Sequence, residues 1–288
     1  MSTPPVPASS GQPADDPSRA PLGSLTFVGN ATVLLRLGRF TVLTDPNFIR
    51  KGQRAYLGKG LWTRRLRDPA LSLGELPPLD LVVLSHLHGD HFDRVARRGL
   101  DRSVPLLTTP PAARRLGKQG FSTQALTTWQ RERFESGGET LEVESLPGTH
   151  ARGAMAGLLP PVMGTLLEHR VAGGPPTRVY LSGDTLTGDH LDEIARRHPE
   201  IDLALVHLGG TRVLLHTVTM DAAQGVDFLR RVRPRQAVPI HYDDYGVFAS
   251  PLADFEDAAR RAGLAERVRV VERGSTVPVT PAGEVPGR

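Results

Sequence analysis

The chain has 288 residues, a formal net charge of +4 and 39% hydrophobic residues, which is the composition of an ordinary globular protein. It contains no cysteine, so disulfides and thiolate metal sites are excluded, and any metal would be held by imidazole and carboxylate groups. No apolar run approaches the roughly 20 residues that a membrane-spanning helix needs.

The two ends of the chain differ in amino-acid composition from the residues between them. Residues 1–20 are rich in proline, serine and alanine and are typical of a disordered tail. They lack the apolar core of a secretory signal, so we expect a cytoplasmic protein. Residues 21–283 contain no linker-like stretch and are predicted to form one domain, followed by a C-terminal tail at residues 284–288.

Short strand-like runs begin at residue 25. Runs at residues 25–29, 32–37 and 40–45 are separated by Asn30-Ala31 and Gly38-Arg39, pairs that suit hairpin turns. The remaining strand candidates, in chain order, are residues 81–84, 105–109, 140–146, 164–170, 178–182, 203–208, 237–242 and 267–272. The intervening segment 50–65 has no clear period, and we interpret it either as a loop that covers a site or as a plain surface loop.

Helical patterns alternate with the later strands. Asp221 and Gln224 have the spacing of a capping box, and Ser250 followed by Pro251 is typical of a helix start. Four helices are predicted, at residues 111–116, 190–198, 221–233 and 250–263. Hairpins followed by alternating strands and helices indicate a mixed α/β domain.

The stretch LVVLSHLHGDHFDR, residues 81–94, places three histidines and an aspartate at the exit of a predicted buried strand. A turn that is polar by chance explains a single histidine, but poorly explains three within six residues. Imidazole and carboxylate groups suit zinc, and their close spacing lets one loop supply two ions. His86 and His88 point to the same side of an extended segment, and the glycine that follows lets Asp90 and His91 reach a second position.

Three more strand-like runs end at a candidate ligand. His150, Asp184 and His241 each follow such a run. Functional groups collect where loops leave strands, because the sheet fixes their positions. The sequence therefore predicts one convergent metal site that contains His86, His88, Asp90, His91, His150, Asp184 and His241.

The motif HLHGDH resembles the His-x-His-x-Asp-His motif of the metallo-β-lactamase fold superfamily, and the three later residues match its remaining ligands in order. LTFVGNATVLL, TVLTDPNF and SHLHGDHFD are similar to the branch that contains N-acyl-phosphatidylethanolamine phospholipase D and L-ascorbate-6-phosphate lactonase. The similarity runs from about residue 25 to about residue 271. It implies an α/β fold, a four-layer αβ/βα sandwich of two mixed sheets flanked by helices, with metals at one edge.

The resemblance also implies a dinuclear centre. One divalent ion would be held by His86, His88 and His150, the other by Asp90, His91 and His241, with Asp184 bridging the two. Zinc is the expected metal, and manganese and iron are the alternatives. The implied reaction is hydrolysis by a hydroxide that bridges the ions.

The predicted catalytic residues are Asp90, Asp184 and His207. His207 and His216 are candidates for a proton donor or a substrate anchor, with an ordinary core or surface histidine as the alternative for each. Asp45 is interpreted as an acceptor that orients a ligand histidine, rather than only as a turn residue before proline. Asp93 is either a helix-start acid or a second acceptor of this kind.

The main functional hypothesis is hydrolysis of an ester, lactone or phosphodiester in a small molecule, and Arg152 is a candidate contact for an anionic substrate. A nuclease is one alternative, although the paired arginines lack interleaved aromatic residues and favour solvated helix ends. A metal-binding sensor or scaffold without turnover is the other alternative. Two features also depart from the family pattern: Asn30 stands where histidine is frequent, and no tryptophan follows His150 as in the phospholipid-cleaving members. The sequence leaves the oligomeric state open.

Overall fold

The computed structural model describes residues 23–213 and 216–279. The predicted tails at residues 1–20 and 284–288 lie outside the described residues, and the single domain over residues 21–283 stays a prediction. Across the described ranges, none of the helices combines the length and the apolar character needed to cross a bilayer.

Seventeen strands and five helices make up the regular structure of the described residues. The strands are β1 (Gly23–Gly29), β2 (Thr32–Leu37), β3 (Phe40–Thr44), β4 (Arg54–Gly58), β5 (Leu61–Arg64), β6 (Leu81–Leu84), β7 (Leu106–Thr108), β8 (Thr123–Ala125), β9 (Arg131–Ser136), β10 (Glu139–Pro147), β11 (Met163–Val171), β12 (Thr177–Leu181), β13 (Leu203–His207), β14 (Arg212–Val213), β15 (His216–Thr217), β16 (Gln236–Ile240) and β17 (Thr276–Val279). The helices are α1 (Arg94–Gly99), α2 (Pro110–Gly117), α3 (Asp189–Arg197), α4 (Ala222–Val232) and α5 (Leu252–Arg261).

Two mixed sheets form the centre of the molecule. The first has the strand order β17-β1-β2-β3-β6-β7-β8, and the second has the order β16-β13-β12-β11-β10-β9. In the first sheet β3, β6, β7 and β8 run parallel, and in the second sheet β12, β13 and β16 run parallel. Both sheets therefore collect several strand ends at one edge.

Three apolar clusters separate four layers. The central cluster lies between the sheets and includes Leu35 and Val83 of the first sheet with Leu167 and Leu205 of the second. A second cluster packs α3, α4 and α5 on the outer face of the second sheet, and a third packs α1 and α2 on the first. This arrangement confirms the predicted αβ/βα sandwich with two mixed sheets flanked by helices.

Most of the predicted strands and helices are present, including the two hairpin turns that join β1, β2 and β3. The prediction of a strand at residues 267–272 was wrong, because only an isolated bridge between Val268 and Ala237 forms there. The predicted capping box of α4 is half formed: Asp221 accepts the Gln224 backbone N–H, but the Gln224 side chain accepts from the Thr187 backbone instead.

Two expectations about helix starts and loops also differ from the structure. Pro251, not Ser250, is the N-cap of α5, and the Ser250 hydroxyl accepts the Ala222 backbone N–H at the start of α4. The segment 50–65 contains the antiparallel hairpin β4–β5. Buried and exposed side chains do not alternate regularly along this hairpin, because it packs over a cavity rather than in the core. The sequence therefore shows no regular alternation of polar and apolar residues there.

Candidate metal centre

The candidate ligands converge because the strands that carry them end at the same edge of the two sheets. His86 lies two residues beyond β6, and His150 three residues beyond β10. Asp184 follows β12, and His241 directly follows β16. Since β12 and β16 run parallel to the intervening β13, their carboxyl ends lie side by side. The structure brings all seven predicted residues together.

The turn of the HLHGDH motif has a glycine for a steric reason. The Gly89 backbone N–H donates to the Tyr56 carbonyl oxygen of the β4–β5 hairpin at 2.9 Å. A Cβ atom at position 89 would lie 2.6 Å from that oxygen, which is too close for any side chain. After this contact the chain turns, with the Phe92 N–H bonded to the His88 carbonyl at 2.8 Å, and directs Asp90 and His91 inward.

The first group of candidate ligands consists of His86, His88 and His150, whose nearest ligand atoms lie within 4.8 Å of one another. His86 Nε2 is 2.9 Å from His88 Nδ1. His150 Nδ1 lies 2.9 Å from the Val218 carbonyl oxygen, so this nitrogen carries the proton and Nε2 is free to coordinate. The group therefore offers three imidazole nitrogens to one position.

The second group consists of Asp90, His91, Asp184 and His241 and meets the same distance limit. His91 Nε2 lies 3.2 Å from Asp184 Oδ2, and His241 Nε2 lies 3.5 Å from Asp90 Oδ2. Asp184 Oδ2 is also 3.9 Å from His86 Nε2 of the first group. The carboxylate of Asp184 thus faces both groups.

The polar atoms at the centre of these groups fit divalent cations. Five of them are buried and have no hydrogen-bond partner within residues 23–213 and 216–279: Asp90 Oδ1, His91 Nε2, His150 Nε2, Asp184 Oδ1 and His241 Nε2. Burying such atoms without partners is costly. Nitrogen and oxygen donors of this kind coordinate zinc, manganese or iron, which would remove that cost. The assignment of the individual ligands stays a prediction.

The two groups differ in electrostatics. Burial lowers the pKa of His86 well below its usual value and the pKa of His88 to about 4, so both rings are neutral and able to coordinate. Burial also opposes the charged form of His91, but the Asp184 and Asp45 carboxylates outweigh it and raise its pKa well above its usual value. The second group is therefore the one that attracts positive charge most strongly.

Asp45 lies behind the second group, at the end of β3. Its Oδ1 accepts the Ser85 backbone N–H at 2.7 Å, and its Oδ2 lies 3.1 Å from His91 Nδ1. Burial opposes its ionisation, but His91 and His207 outweigh this effect and lower the pKa of its carboxyl to about 2. This geometry supports the interpretation of Asp45 as an acceptor that orients His91.

His207 lies beside Asp45 and next to the second group, and the ligand atoms of Asp45, His91 and His207 lie within 4.8 Å of one another. Its side chain is only 1% exposed, with Nε2 3.4 Å from Asp45 Oδ2 and Nδ1 3.1 Å from the Ser182 hydroxyl. Its ring also stacks on that of His91, at 6.0 Å between centroids. His216, the second candidate, is exposed on β15. The contacts of His207 therefore include His91 of the second group as well as Asp45 and Ser182, and its role in catalysis stays a prediction.

Three other residues named in the sequence analysis make structural contacts. Asn30, in the left-handed region with a φ of 54°, donates its Nδ2 to the Asp90 carbonyl oxygen at 2.7 Å, and its own carbonyl accepts the His241 N–H at 2.9 Å. It thereby ties together the loops that carry two candidate ligands. Asp93 is the N-cap of α1 and accepts the Val95 and Ala96 N–H groups. Arg152 donates to the Thr187 carbonyl oxygen.

Sequence reasoning missed the buried support of these loops. Asp244 is fully buried and accepts the Asn30 N–H at 2.6 Å, an Arg65 Nη2–H at 3.1 Å and two Arg273 N–H groups. The signal available in the sequence was a second acidic residue close after His241, in HYDDY, but nothing there distinguishes it from its neighbour Asp243.

A cavity of about 730 Å³ that opens over His88 was also not predicted from the sequence. One wall is the β4–β5 hairpin, and the opposite wall is formed by the segment around Leu159 and by Arg212. The centre is therefore reached from the side of the first ligand group, and a substrate would approach it past His88.

Comparisons with known proteins agree with this arrangement. The chain is 27% identical over 237 residues to N-acyl-phosphatidylethanolamine-hydrolyzing phospholipase D 1 of Caenorhabditis elegans, a match that covers 76% of this chain and 64% of the worm protein. It is 25% identical over 264 residues to the UPF0173 protein YddR of Bacillus subtilis, covering 88% of this chain and 98% of that protein. The chain thus spans slightly less than two thirds of the first relative and nearly all of the second.

Two solved structures have a similar fold. An isothiocyanate hydrolase from Delia radicum gut bacteria superposes with a TM-score of 0.76 at 20% identity, covering 89% of this chain and 99% of that one. A possible metal-dependent hydrolase from Veillonella parvula superposes with a TM-score of 0.75 at 24% identity, covering 88% and 98%. The model of the beta-lactamase superfamily domain matches residues 41–242, more than half of the chain. The chain therefore belongs to the beta-lactamase superfamily, and the resemblance inferred from the HLHGDH motif is confirmed.

Proposed function

We propose that this protein is a dinuclear metal-dependent hydrolase that cleaves an ester, lactone or phosphodiester bond in a small molecule. The observation that carries the proposal is the pair of adjacent ligand groups, both faced by the carboxylate of Asp184, with His88 of the first group in the lining of a cavity. Membership of the superfamily and the hydrolase activities named for similar proteins support the same reaction class.

In this proposal some side chains coordinate the metal ions, and others hold the coordinating side chains in position. His86, His88 and His150 present neutral nitrogens, and Asp90, His91, Asp184 and His241 present a more anionic set. When bound, two divalent ions would lower the pKa of a shared water and stabilise negative charge on the attacked group. Asp45 receives the Nδ1–H of His91 and so keeps Nε2 directed at the centre.

Asp90 and Asp184 act in this proposal through their position at the centre, whereas His207 acts from behind it. Since His207 contacts Asp45 and Ser182 and is 1% exposed, we propose that it holds the Asp45 carboxylate in place rather than giving a proton to the leaving group. The cavity of about 730 Å³ has the size of a small-molecule site, which favours this substrate class over a nucleic-acid strand.

Elemental analysis of the purified protein, followed by hydrolysis assays, tests the proposal. We expect about two divalent ions per chain and turnover of at least one of bis(p-nitrophenyl) phosphate, an aryl ester and a lactone with added zinc or manganese. His88→Ala should lose metal and turnover. His198→Ala, which removes a histidine that pairs with Glu144 outside the ligand groups, should keep both. Unchanged metal content in His88→Ala would exclude the proposed centre.

A further inference from the structure

The β4–β5 hairpin is fixed directly above the candidate metal centre. Besides the Gly89–Tyr56 backbone bond, a Cβ atom at Gly58 would lie only 3.8 Å from His88 Nε2. The Tyr56 and Trp62 rings pair across the hairpin with centroids 4.9 Å apart, and the Tyr56 hydroxyl accepts the Gly60 N–H at 3.1 Å. The hairpin is therefore held together by its own contacts and held to the ligand loop.

The cavity beneath the hairpin has a largely apolar lining. Trp62 is 59% exposed and Leu61 43%, and across the opening Leu158 is 48% exposed. Leu57, Leu87, Leu159, Pro160 and Val247 also line the cavity. Side chains of this size are seldom left open to water together without a partner. Since His88 is part of the same lining, the apolar walls lead to the metal centre.

The polar part of the lining is cationic. Lys59, Arg115 and Arg212 line the cavity, and no carboxylate occurs among the described residues that line it. A smaller cavity of about 380 Å³ on the other side of the hairpin shares His88 and Arg115 and adds further arginines, Arg54, Arg94 and Arg97. Its one carboxylate is Asp93, whose oxygens already accept backbone N–H groups. Arg115 thus stands where both cavities meet a ligand histidine.

We propose that this site takes an amphipathic anion, with its apolar group against Trp62 and Leu61 and its anionic group beside Arg115. A cationic ligand would meet three like charges, and a short anion would leave the apolar walls exposed to water. The proposal names the substrate class of the hydrolase proposed above and rests on that function for the reaction. Binding itself needs no turnover and is tested separately.

A membrane surface is the competing explanation for exposed aromatic and aliphatic residues next to lysine and arginine. The arrangement favours a dissolved ligand for two reasons. The apolar side chains face a concave space of about 730 Å³, and the lining of that space includes His88. A bilayer would contact the outer tips of the hairpin and would not need a passage to the metal centre.

The test is calorimetric titration of the full-length, metal-loaded protein with octyl phosphate. Three matched probes each change one feature of octyl phosphate. Methyl phosphate lacks the octyl chain, octyl glucoside lacks the charge, and octyltrimethylammonium carries the opposite charge. We expect octyl phosphate to bind at least about tenfold more tightly than methyl phosphate and octyl glucoside, and the cation not to bind. Equal affinity for the two phosphates would show adventitious anion binding at the metals and would overturn the proposal.

Variants locate the site. Trp62→Ser and Arg115→Gln should each raise the Kd for octyl phosphate about tenfold, whereas Val171→Ser and Arg133→Gln, exposed residues at other places in the second sheet, should leave it unchanged. Four equal Kd values would overturn the proposal. So would a Trp62 fluorescence shift, recorded in a Trp129→Phe background, that appears with phosphatidylglycerol vesicles but not with octyl phosphate. Octyl phosphate bound at this site by a protein that hydrolyses nothing would leave the inference standing while the proposed function fails.

Discussion

The molecule contains two kinds of buried carboxylate, and they differ in what surrounds them. Asp244 and Asp93 lie away from the ligand atoms, and both oxygens of each accept hydrogen bonds from backbone N–H groups or arginine. Asp90 and Asp184 are equally buried, at 4% and 3% exposed, yet Oδ1 of each has no hydrogen-bond partner in the part of the chain that the structure describes. Both kinds have left water, but only in the first do hydrogen-bond donors of the protein reach both carboxylate oxygens.

The difference teaches where the compensating charge comes from. Ionised groups remain buried only when they are paired, hydrogen-bonded or bound to metal. The scaffold supplies that pairing for Asp244 through Arg65 and Arg273. Asp90 and Asp184 instead face the ring nitrogens of His91 and His241, whose pKa values they raise, and a bound cation would supply positive charge in place of those protons. An unpartnered oxygen that also faces buried histidine nitrogens thus marks the candidate ligand carboxylates; Asp202 Oδ1 has no partner within the described residues either, but Asp202 belongs to none of the candidate ligand groups.

The largest effect is expected for Asp184→Asn, because this carboxylate faces both ligand groups. The amide keeps the shape of the side chain but removes the charge that holds the cations. We expect metal content to fall below two ions per chain and turnover to fall by more than about a hundredfold, since even residues behind metal ligands are typically worth ten- to a hundredfold. Elemental analysis and single-substrate kinetics measure both. An Asp184→Asn variant that keeps two ions and normal turnover would show that Asp184 is not a ligand carboxylate.

The opposite outcome is expected for Asp244→Asn. Removing its charge leaves Arg65 buried without an anion, and the free energy of unfolding should fall by about 3 kcal/mol or more. Asp243→Asn is the matched control: its carboxylate is partly exposed and pairs with Arg67 and with Arg273, which Asp244 also holds, so the loss of its charge should cost less than about 1 kcal/mol. Urea unfolding measures the difference. At saturating metal concentration, the metal content per folded chain should not change in either variant, and a loss in Asp244→Asn as large as that in Asp184→Asn would contradict the division into two classes.

The sequence predicted the ligand carboxylates better than the structural ones. His86, His88, Asp90 and His91 crowd into six residues, and no structural requirement produces that density. The later ligands follow strand-like runs, so parallel strand ends predict their convergence. Asp244 has no such signal, since its partners Arg65 and Arg273 are distant in the chain and join it only through tertiary packing.

The fold was likewise predictable where a local sequence pattern exists, and not where an element depends on distant contacts. Buried strands such as β6 and β13 are continuous apolar runs and are evident in the sequence. The hairpin β4–β5 was not evident in the sequence. Its residues contact a cavity and the Gly89 loop rather than one face of a sheet, so they do not alternate between polar and apolar. Strand β9, with the sequence RERFES, was missed because its many charged side chains pair with residues of β10 on an edge of the sheet.

Asp45 tests the boundary between the two classes. Its carboxylate accepts N–H and O–H groups from Ser85, like a structural acid, but also faces the ring of His91. Asp45→Asn should weaken metal binding by about ten- to a hundredfold without abolishing it. Competition with a chelator measures this. Asp80→Asn, which removes the charge of an exposed side chain that accepts the Thr41 N–H beside the same sheet, should leave metal affinity unchanged.

The smallest effect is expected from Glu144, whose carboxylate pairs with a histidine but lies outside the metal centre. Its Oε2 is 3.2 Å from His198 Nε2 and 3.0 Å from Arg131 Nη2. Burial disfavours the ionised form, but these two partners outweigh it and hold the pKa of Glu144 below its usual 4.5. A lowered carboxyl pKa adds stability that is present above pH 4.5 and is lost as the pH falls through the folded-state value.

Glu144→Gln should therefore lower the free energy of unfolding near neutral pH by less than about 1 kcal/mol, and the difference from the unmodified protein should shrink as the pH is taken below 4.5. Urea unfolding at a series of pH values measures it. Metal content should stay the same, because Glu144 has a protein cation as its partner, Arg131, as Asp244 does with Arg65 and Arg273. If metal were lost in this variant, contact between a histidine and a buried acid would by itself indicate coordination, and the orphaned oxygens of Asp90 and Asp184 would no longer be the distinguishing feature.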